Sequence, residues 1–492
     1  MPNTLSYAAL FAWPVVVAVL FATRSRPKAI LYSILGGYLL LPSFEGIDLP
    51  MLPPIDKTLV PSLSVLLACL VMPRANSPKP RSIAGRNSDT GRAATDSARV
   101  NSFHQVQAGR NEIKKSTKPT HGGSGRNSIR KIETILIALV IFTPVITYLT
   151  NGEAYVAGPR IIRGIQLYDA FSMILAALVS LLPYYVARRF LNDDASALAL
   201  LQALAAAAFL YSFLALFEVR MSPQLSTWIY GFFPHSFAQH MRGGGFRPLV
   251  FLEHGLRLAI FMAMAIVAAF AVWRSISSGR LWLAIGLWLL IALFLSHSLG
   301  AFVIAIVLLP IIAWLGRRKQ IAVAAILATL FILYPVLRTV DVVPTQSAIS
   351  LAKSVNLERA QSLEFRIRNE DALLERAREK PFAGWGQWGR SRIYDQNTGR
   401  DISVTDGVWV IVFGTTGWLG YVGHFGLLAL PILGLFRIRR SAAVTMPAAG
   451  LAVALSANMV DMIPNSSLTP ITWLIAGVLM NQSLLLQSKR NE

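Results

Sequence analysis

The sequence predicts an all-α polytopic membrane protein of about 12–13 transmembrane helices, with a large outside loop that bears short amphipathic helices. Three observations lead there. Of 492 residues, 54% are hydrophobic and 14% are charged, whereas about a quarter are charged in an ordinary soluble domain. The apolar residues fall in long runs, at 132–150, 168–187, 196–217, 281–299, 300–315, 320–337 and 468–486, each near the roughly 20 residues that cross a bilayer as a helix. When the runs are threaded alternately across a membrane, the short basic loops all fall on one side, as the positive-inside rule requires.

In chain order, the run 5–22 is followed, not preceded, by the basic stretch "TRSRPK". It therefore lacks the n-region of a signal peptide, and the N-terminus is expected outside. The acidic segment 44–57 lies outside, and a short run at 58–72 returns to the cytoplasm. Residues 73–131 form a cytoplasmic loop rich in Ser, Arg, Asn, Gly and Lys, with 13 Lys/Arg against 3 Asp/Glu. That composition reads as a disordered, polybasic linker beside anionic headgroups, and the absence of interleaved aromatics argues against a nucleic-acid role. A transmembrane core follows at 132–337, with an outside loop at 218–254 and a tight hairpin between 281–299 and 300–315. The large outside loop spans 338–406. The segment 407–492 supplies a run at about 407–436 and two last spans that leave the C-terminus cytoplasmic. The one cysteine, Cys69, forms no internal disulfide and belongs to no metal-ligand spacing, so a packing role is expected.

The outside loop 338–406 is charge-dense but balanced, with ten Lys/Arg against ten Asp/Glu between 339 and 406. Ala360, Leu363, Ile367 and Leu374 recur at helical spacing and make one apolar stripe. Glu370 lies four residues after Arg366 and Glu379 three after Arg376, spacings that allow local ion pairs. Pro381 ends the helix, and "GWGQWG" reads as a flexible, aromatic-studded hinge. In the other outside loop, Arg242 and Arg247 flank three glycines in "HMRGGGFRPLVFLEHG", and Glu253, His254 and Arg257 stand at the mouth of the next span. Charges at such a position indicate function. A membrane enzyme acting on a lipid diphosphate must neutralise the leaving group with a divalent metal or with guanidinium groups. No DxD occurs in an outside loop, and "NDD" at 192–194 falls on the cytoplasmic side.

Three stretches resemble the O-antigen ligase and O-antigen polymerase superfamily of bacterial membrane glycosyltransferases. They are "MRGGGFRPLVFLEHGLRLAIFM", "SHSLGAFVIAIVLL" at 296–309, and the region 362–420 with Arg366, "PFAGWG" and "TDGVWVIVFGTTGWLG". Gly417 and Gly420 fall where the family's late glycines fall. The resemblance covers roughly 200–430. It implies a multi-span helical bundle in the bacterial inner membrane that transfers a glycan from an undecaprenyl-diphosphate carrier to an acceptor hydroxyl of a glycan or lipid, without a metal or other cofactor. Components of a polysaccharide export system are the further partners it suggests. By the same resemblance, Arg366 and either Arg242 or Arg247 would hold the diphosphate. Asp406 stands at the family's histidine position and Gly407 at its asparagine position, so Asp406 would act as the general base, with His254 or Glu253 as alternatives. Trp385 and Trp388 would stack on sugar rings or anchor in the interfacial aromatic belt. The missing histidine favours a polymerase of exopolysaccharide or O-antigen repeats over a ligase. A flippase for the same lipid-linked glycan is a third reading, against which stand the absence of an internal repeat and the clustering of arginines in outside loops.

Overall fold

A computed structural model describes residues 2–43, 46–48, 52–72, 123–242, 244–355 and 357–491. The described residues are mostly helical. In order, the helices are α1 (Thr4–Thr23), α2 (Arg26–Leu40), α3 (Leu59–Val71), α4 (Gly123–Thr150), α5 (Leu167–Phe190), α6 (Ser196–Met221), α7 (Leu225–Tyr230), α8 (Gly255–Ser275), α9 (Arg280–Leu295), α10 (Leu299–Trp314), α11 (Arg317–Thr339), α12 (Thr345–Val355), α13 (Leu357–Arg378), α14 (Val408–Arg437), α15 (Met446–Asp461) and α16 (Pro470–Asn491). Among the described residues, two short antiparallel hairpins interrupt them: β1 (Tyr155–Ala157) with β2 (Arg160–Ile162), and β3 (Met241–Arg242) with β4 (Gly245–Phe246).

Among the described residues, eight helices are long and apolar enough to cross a membrane: α1, α4, α5, α6, α8, α11, α14 and α16. This is the architecture of a multi-pass membrane protein. Three expected spans are shorter apolar helices, α3, α9 and α10, of 13, 16 and 16 residues. The expected hairpin between the last two is present, with only residues 296–298 between them.

Helix α8 is the centre of the bundle. Every residue from Leu258 to Val272 is buried, the mark of a helix surrounded on all faces. Its alanines allow the close approach that membrane helices use in place of a hydrophobic driving force, and α6, α9, α10 and α15 pack around it. Cys69 is buried in α3, in the packing role expected.

Two boundaries differ from the sequence reading. Helix α4 begins at Gly123, inside the segment 73–131 expected to be a disordered loop; residues 73–122 of that segment lie outside the described residues. Ten residues into α4, Glu133 is buried against α5. Its carboxylate accepts two hydrogen bonds from Arg188, at 2.6 and 2.8 Å, and one from the Tyr184 hydroxyl at 2.6 Å.

The second difference concerns 407–436, expected as one long run. Helix α14 is broken at Gly417, whose φ of 61° and ψ of −164° are not helical. The break is filled by the segment 381–386. In an unbroken helix the amides of Trp418 and Leu419 would bond the carbonyls of Gly414 and Thr415. Here Trp418 N–H donates to Pro381 O (2.7 Å) and Leu419 N–H to Phe382 O (3.0 Å). The released carbonyls accept from Trp385 N–H and Gly386 N–H, both at 2.9 Å. Two hydrogen bonds of the helix are thus replaced by four to the inserted loop. From α4 the Thr147 hydroxyl donates to Ala383 O (2.6 Å), and just past its end Asn151 Nδ2 donates to Gly384 O (3.0 Å). The "GWG" stretch is therefore a pinned strap, not the flexible hinge expected. Its glycines are required for close approach: Gly384 has φ of +69°, and a Cβ there would collide with the Thr415–Thr416 backbone, while a Cβ on Gly417 would collide with the Phe382 carbonyl.

Gly417→Ala is expected to destabilise the protein by at least about 2 kcal/mol, from a strained φ combined with a backbone collision. Gly300→Ala, where an added Cβ meets nothing within 4 Å, is expected to leave thermal denaturation in detergent unchanged or slightly raised. Equal denaturation temperatures for the two variants would contradict the splice.

Candidate functional site

The arginine-rich helix α13 packs on α12 and α14, with Ala360, Leu373, Leu374 and Ala377 buried. Ala360 and Leu374 of the expected apolar stripe are among these, while Leu363 and Ile367 are only half-buried because they line a cavity. The cavity is about 250 Å³. Arg366, Asp406 and Glu370 supply its charge, and Leu363, Val410, Ile463 and Pro464 contribute to its apolar wall.

Arg366 does not pair with Glu370. Its Nε lies 3.4 Å from Asp406 Oδ2, and both side chains are about one-third exposed, at 33% and 39%. Glu370 is turned the other way by three donors: Arg338 Nε (2.9 Å), the Tyr334 hydroxyl (3.0 Å) and Trp409 Nε1 (3.3 Å). Burial pushes the Glu370 carboxyl above the ordinary range, opposed by the Arg338 charge and these hydrogen bonds. Arg338 also pairs with Asp371. The local pair Arg376–Glu379 forms as its spacing allows, at 2.6 Å.

Trp385 and Trp388 have different environments. Trp385 is buried, its Nε1–H donates to Arg376 O (2.8 Å), and the Arg376 guanidinium lies 3.4 Å over its ring. Tyr155 stands beside the same ring at 5.9 Å. Trp385 is therefore a packing residue, offered neither to a sugar nor to an interfacial belt, because a cation already occupies its face. Trp388 is 50% exposed.

Arg247, Glu253 and His254 belong to different surroundings, and none of the three is in the wall of the Arg366 cavity. Their loop is tied down by Glu218, a fully buried carboxylate at the end of α6. It accepts from the backbone amides of Leu225 (3.0 Å), Leu249 (2.9 Å) and Val250 (2.7 Å), so three amides satisfy a charge that burial would otherwise penalise. Arg247 is buried, and its Nη2 donates to His297 O at 3.4 Å. The side chain of Arg242 lies outside the described residues. Glu253 forms an ion pair with Arg257. His254 caps α8, its Nδ1 accepting from Leu256 N–H at 3.0 Å. Burial, then His240, His235, Arg247 and Arg257, push its imidazole down to about 3, so the ring is neutral at physiological pH. His235 and His240 stand beside it.

The structure thus brings Arg366 to Asp406, and Arg247 to His254, around two centres with different neighbours. Sequence reasoning missed the role of Glu370, its partner Arg338, and Asp461. Asp461 ends α15 at 2% exposure, accepts from Asn465 Nδ2 at 2.9 Å and feels the charge of Arg366. The available signal was a lone carboxylate in an apolar run, which indicates a functional or paired group.

Glu370→Ala is expected to destabilise the protein by about 3 kcal/mol, because it strips an indole N–H of its acceptor and a buried guanidinium of one of its two carboxylate partners. Asp371→Ala, on a carboxylate that is 57% exposed, is expected to cost under about 1 kcal/mol. Thermal unfolding in detergent distinguishes the two, and equal losses would contradict the assignment of Glu370 as the anchor of α13.

No family model and no curated protein matches this chain.

Proposed function

We propose that this protein is a membrane glycosyltransferase of the periplasmic face of the bacterial inner membrane. It transfers a glycan from an undecaprenyl-diphosphate carrier to an acceptor hydroxyl, polymerising repeat units of an exopolysaccharide or O-antigen. The observation that carries this reading is the Arg366–Asp406 pair in the wall of one cavity. A guanidinium for the diphosphate and a carboxylate for the acceptor proton are the two groups this chemistry needs, and here they adjoin. The basic loops cluster on the opposite side of the threaded chain, which supports the orientation.

In the proposed reaction the carrier diphosphate takes the Arg366 guanidinium from Asp406, a partner held at a loose 3.4 Å. The released carboxylate accepts the proton of the acceptor hydroxyl as its oxygen bonds to the anomeric carbon. The bond from that carbon to the diphosphate breaks, and Arg366 stabilises the negative charge that leaves with the carrier. The apolar wall of Leu363, Val410, Ile463 and Pro464 suits the lipid side of such a substrate. The pinned strap and the Glu370 anchor hold α13 in place, which a site of this kind requires.

The test is turnover of a lipid-diphosphate glycan by the purified full chain. Arg366→Ala is expected to lower the rate by about 10²–10³-fold, the usual loss on removing one charge-stabilising group, and Asp406→Asn to lower it comparably. Turnover is expected to survive EDTA. Unchanged turnover in Arg366→Ala would overturn the proposal, and unchanged turnover in Asp406→Asn would remove Asp406 as the base. In a deletion strain, single repeat units at the surface support a polymerase. Polymer retained on the carrier would indicate a ligase, and loss of all exported carrier-linked glycan a flippase.

A further inference from the structure

Three histidines that the glycan-transfer reading does not require as a group converge in the 218–254 loop. The nitrogens that His235, His240 and His254 can offer all lie within 4.8 Å of one another. The ring centroids of His235 and His254 are 4.7 Å apart, those of His240 and His254 5.0 Å, and those of His235 and His240 6.0 Å. Each comes from a different piece of backbone. His235 precedes a short 3-10 helix (Phe237–His240), His240 ends that helix, and His254 is the cap of α8.

One of the three is oriented as metal ligands are, and a second is held in place by a hydrogen bond that metal would displace. The His240 ring is fully buried, and its Nδ1 lies 3.0 Å from Arg247 O. A carbonyl can only accept, so Nδ1 carries the proton and Nε2 holds the lone pair, the arrangement by which ligating imidazoles are fixed. The backbone repeats the same link, Arg247 N–H donating to His240 O at 2.7 Å, so the β3–β4 hairpin closes on His240 and holds it. His254 is held at the start of α8 by Leu256 N–H. His235 is exposed and leaves the cluster open on one side. Packing alone does not call for three imidazoles here, since Phe233 already packs edge-on against His240 at 5.4 Å and against Phe237 at 5.5 Å.

We propose that His235, His240 and His254 form a binding site for one divalent first-row transition ion, zinc in the first instance. Three imidazole nitrogens suit zinc, and the open side leaves a fourth position for water or an anion. No carboxylate belongs to the trio, and Arg247 and Arg257 stand near it, so an anionic fourth ligand is favoured over water. Binding through His254 exchanges its cap bond with Leu256 for the metal bond by either nitrogen: Nδ1 must release the amide to take the metal, and Nε2 can take it only once its proton has moved to Nδ1, which then no longer accepts.

The proposal goes beyond the glycan-transfer reading and does not depend on it. The test uses the full chain in detergent, purified without an oligohistidine tag, stripped with chelator and dialysed against Zn²⁺ or Co²⁺. Metal analysis is expected to give about one equivalent per chain, and Co²⁺ is expected to show the visible absorption of a low-coordinate site. His235→Ala, on an exposed ring outside every helix, is expected to weaken binding by at least about tenfold without affecting the fold, and His240→Ala to remove it. The double variant His104→Ala/His121→Ala is expected to bind as wild type does. Absence of stoichiometric metal in the wild-type chain would overturn the proposal, and so would undiminished affinity in His235→Ala. Neither result touches Arg366, so this proposal and the preceding one fail separately.

Discussion

The strap at 381–386 and the break in α14 depend on one another. A helix interrupted at Gly417 within an apolar bundle leaves two amides and two carbonyls without partners, and a buried unpaired peptide group is destabilising by the full loss of its hydration. The strap supplies all four partners through the backbone of Pro381, Phe382, Trp385 and Gly386. Without the strap the break would be untenable, and without the break the strap would have nothing to bind. The geometry also fixes residue type by position: Gly384 must lack a side chain because the Thr415–Thr416 backbone stands where its Cβ would be, and Gly417 because the Phe382 carbonyl does.

Buried charge fixes the remaining loops. Glu218 gathers three loop amides, Glu370 joins α13 to α11 and α14 through Arg338, Tyr334 and Trp409, and Glu133 joins α4 to α5 through Arg188 and Tyr184. On the far side of the strap, Arg390 is 1% exposed and donates to the carbonyls of Arg163 (2.8 Å) and Glu153 (3.1 Å), joining the segment after the strap to the residues that flank β1 and β2. In each case a charged group enters an apolar environment only with several hydrogen-bonding partners, which is the condition for burying it at all.

These tethers determine what α13 can do. Its inner face is committed to packing and to Glu370, so Arg366, one turn earlier, is left facing the cavity with Asp406. For the proposed transfer this matters, because a charge held at a defined place by a rigid support need not reorganise as charge develops. The histidine trio follows the same pattern: a hairpin and a helix cap hold His240 and His254 at fixed points before any ligand arrives.

The helical, membrane-embedded class was legible from composition and run length, because crossing a bilayer demands about 20 apolar residues and a backbone that satisfies itself. The burial of Cys69, the Arg376–Glu379 pair and the end of α13 before Pro381 were also legible, since each follows from local spacing or from proline's missing donor. Tertiary structure decided the rest. Periodicity places Arg366 and Glu370 on one helical face, but only the arrival of Arg338, Tyr334 and Trp409 from other helices takes Glu370 away and leaves Arg366 to Asp406. Glycine and tryptophan in "GWGQWG" read equally as a hinge or as a pinned strap, because the carbonyls that pin it lie about 30 residues further along the chain. The histidine trio was hidden for the same reason, since His235, His240 and His254 share no helical or metal-ligand spacing and meet only when the loop folds back on the start of α8.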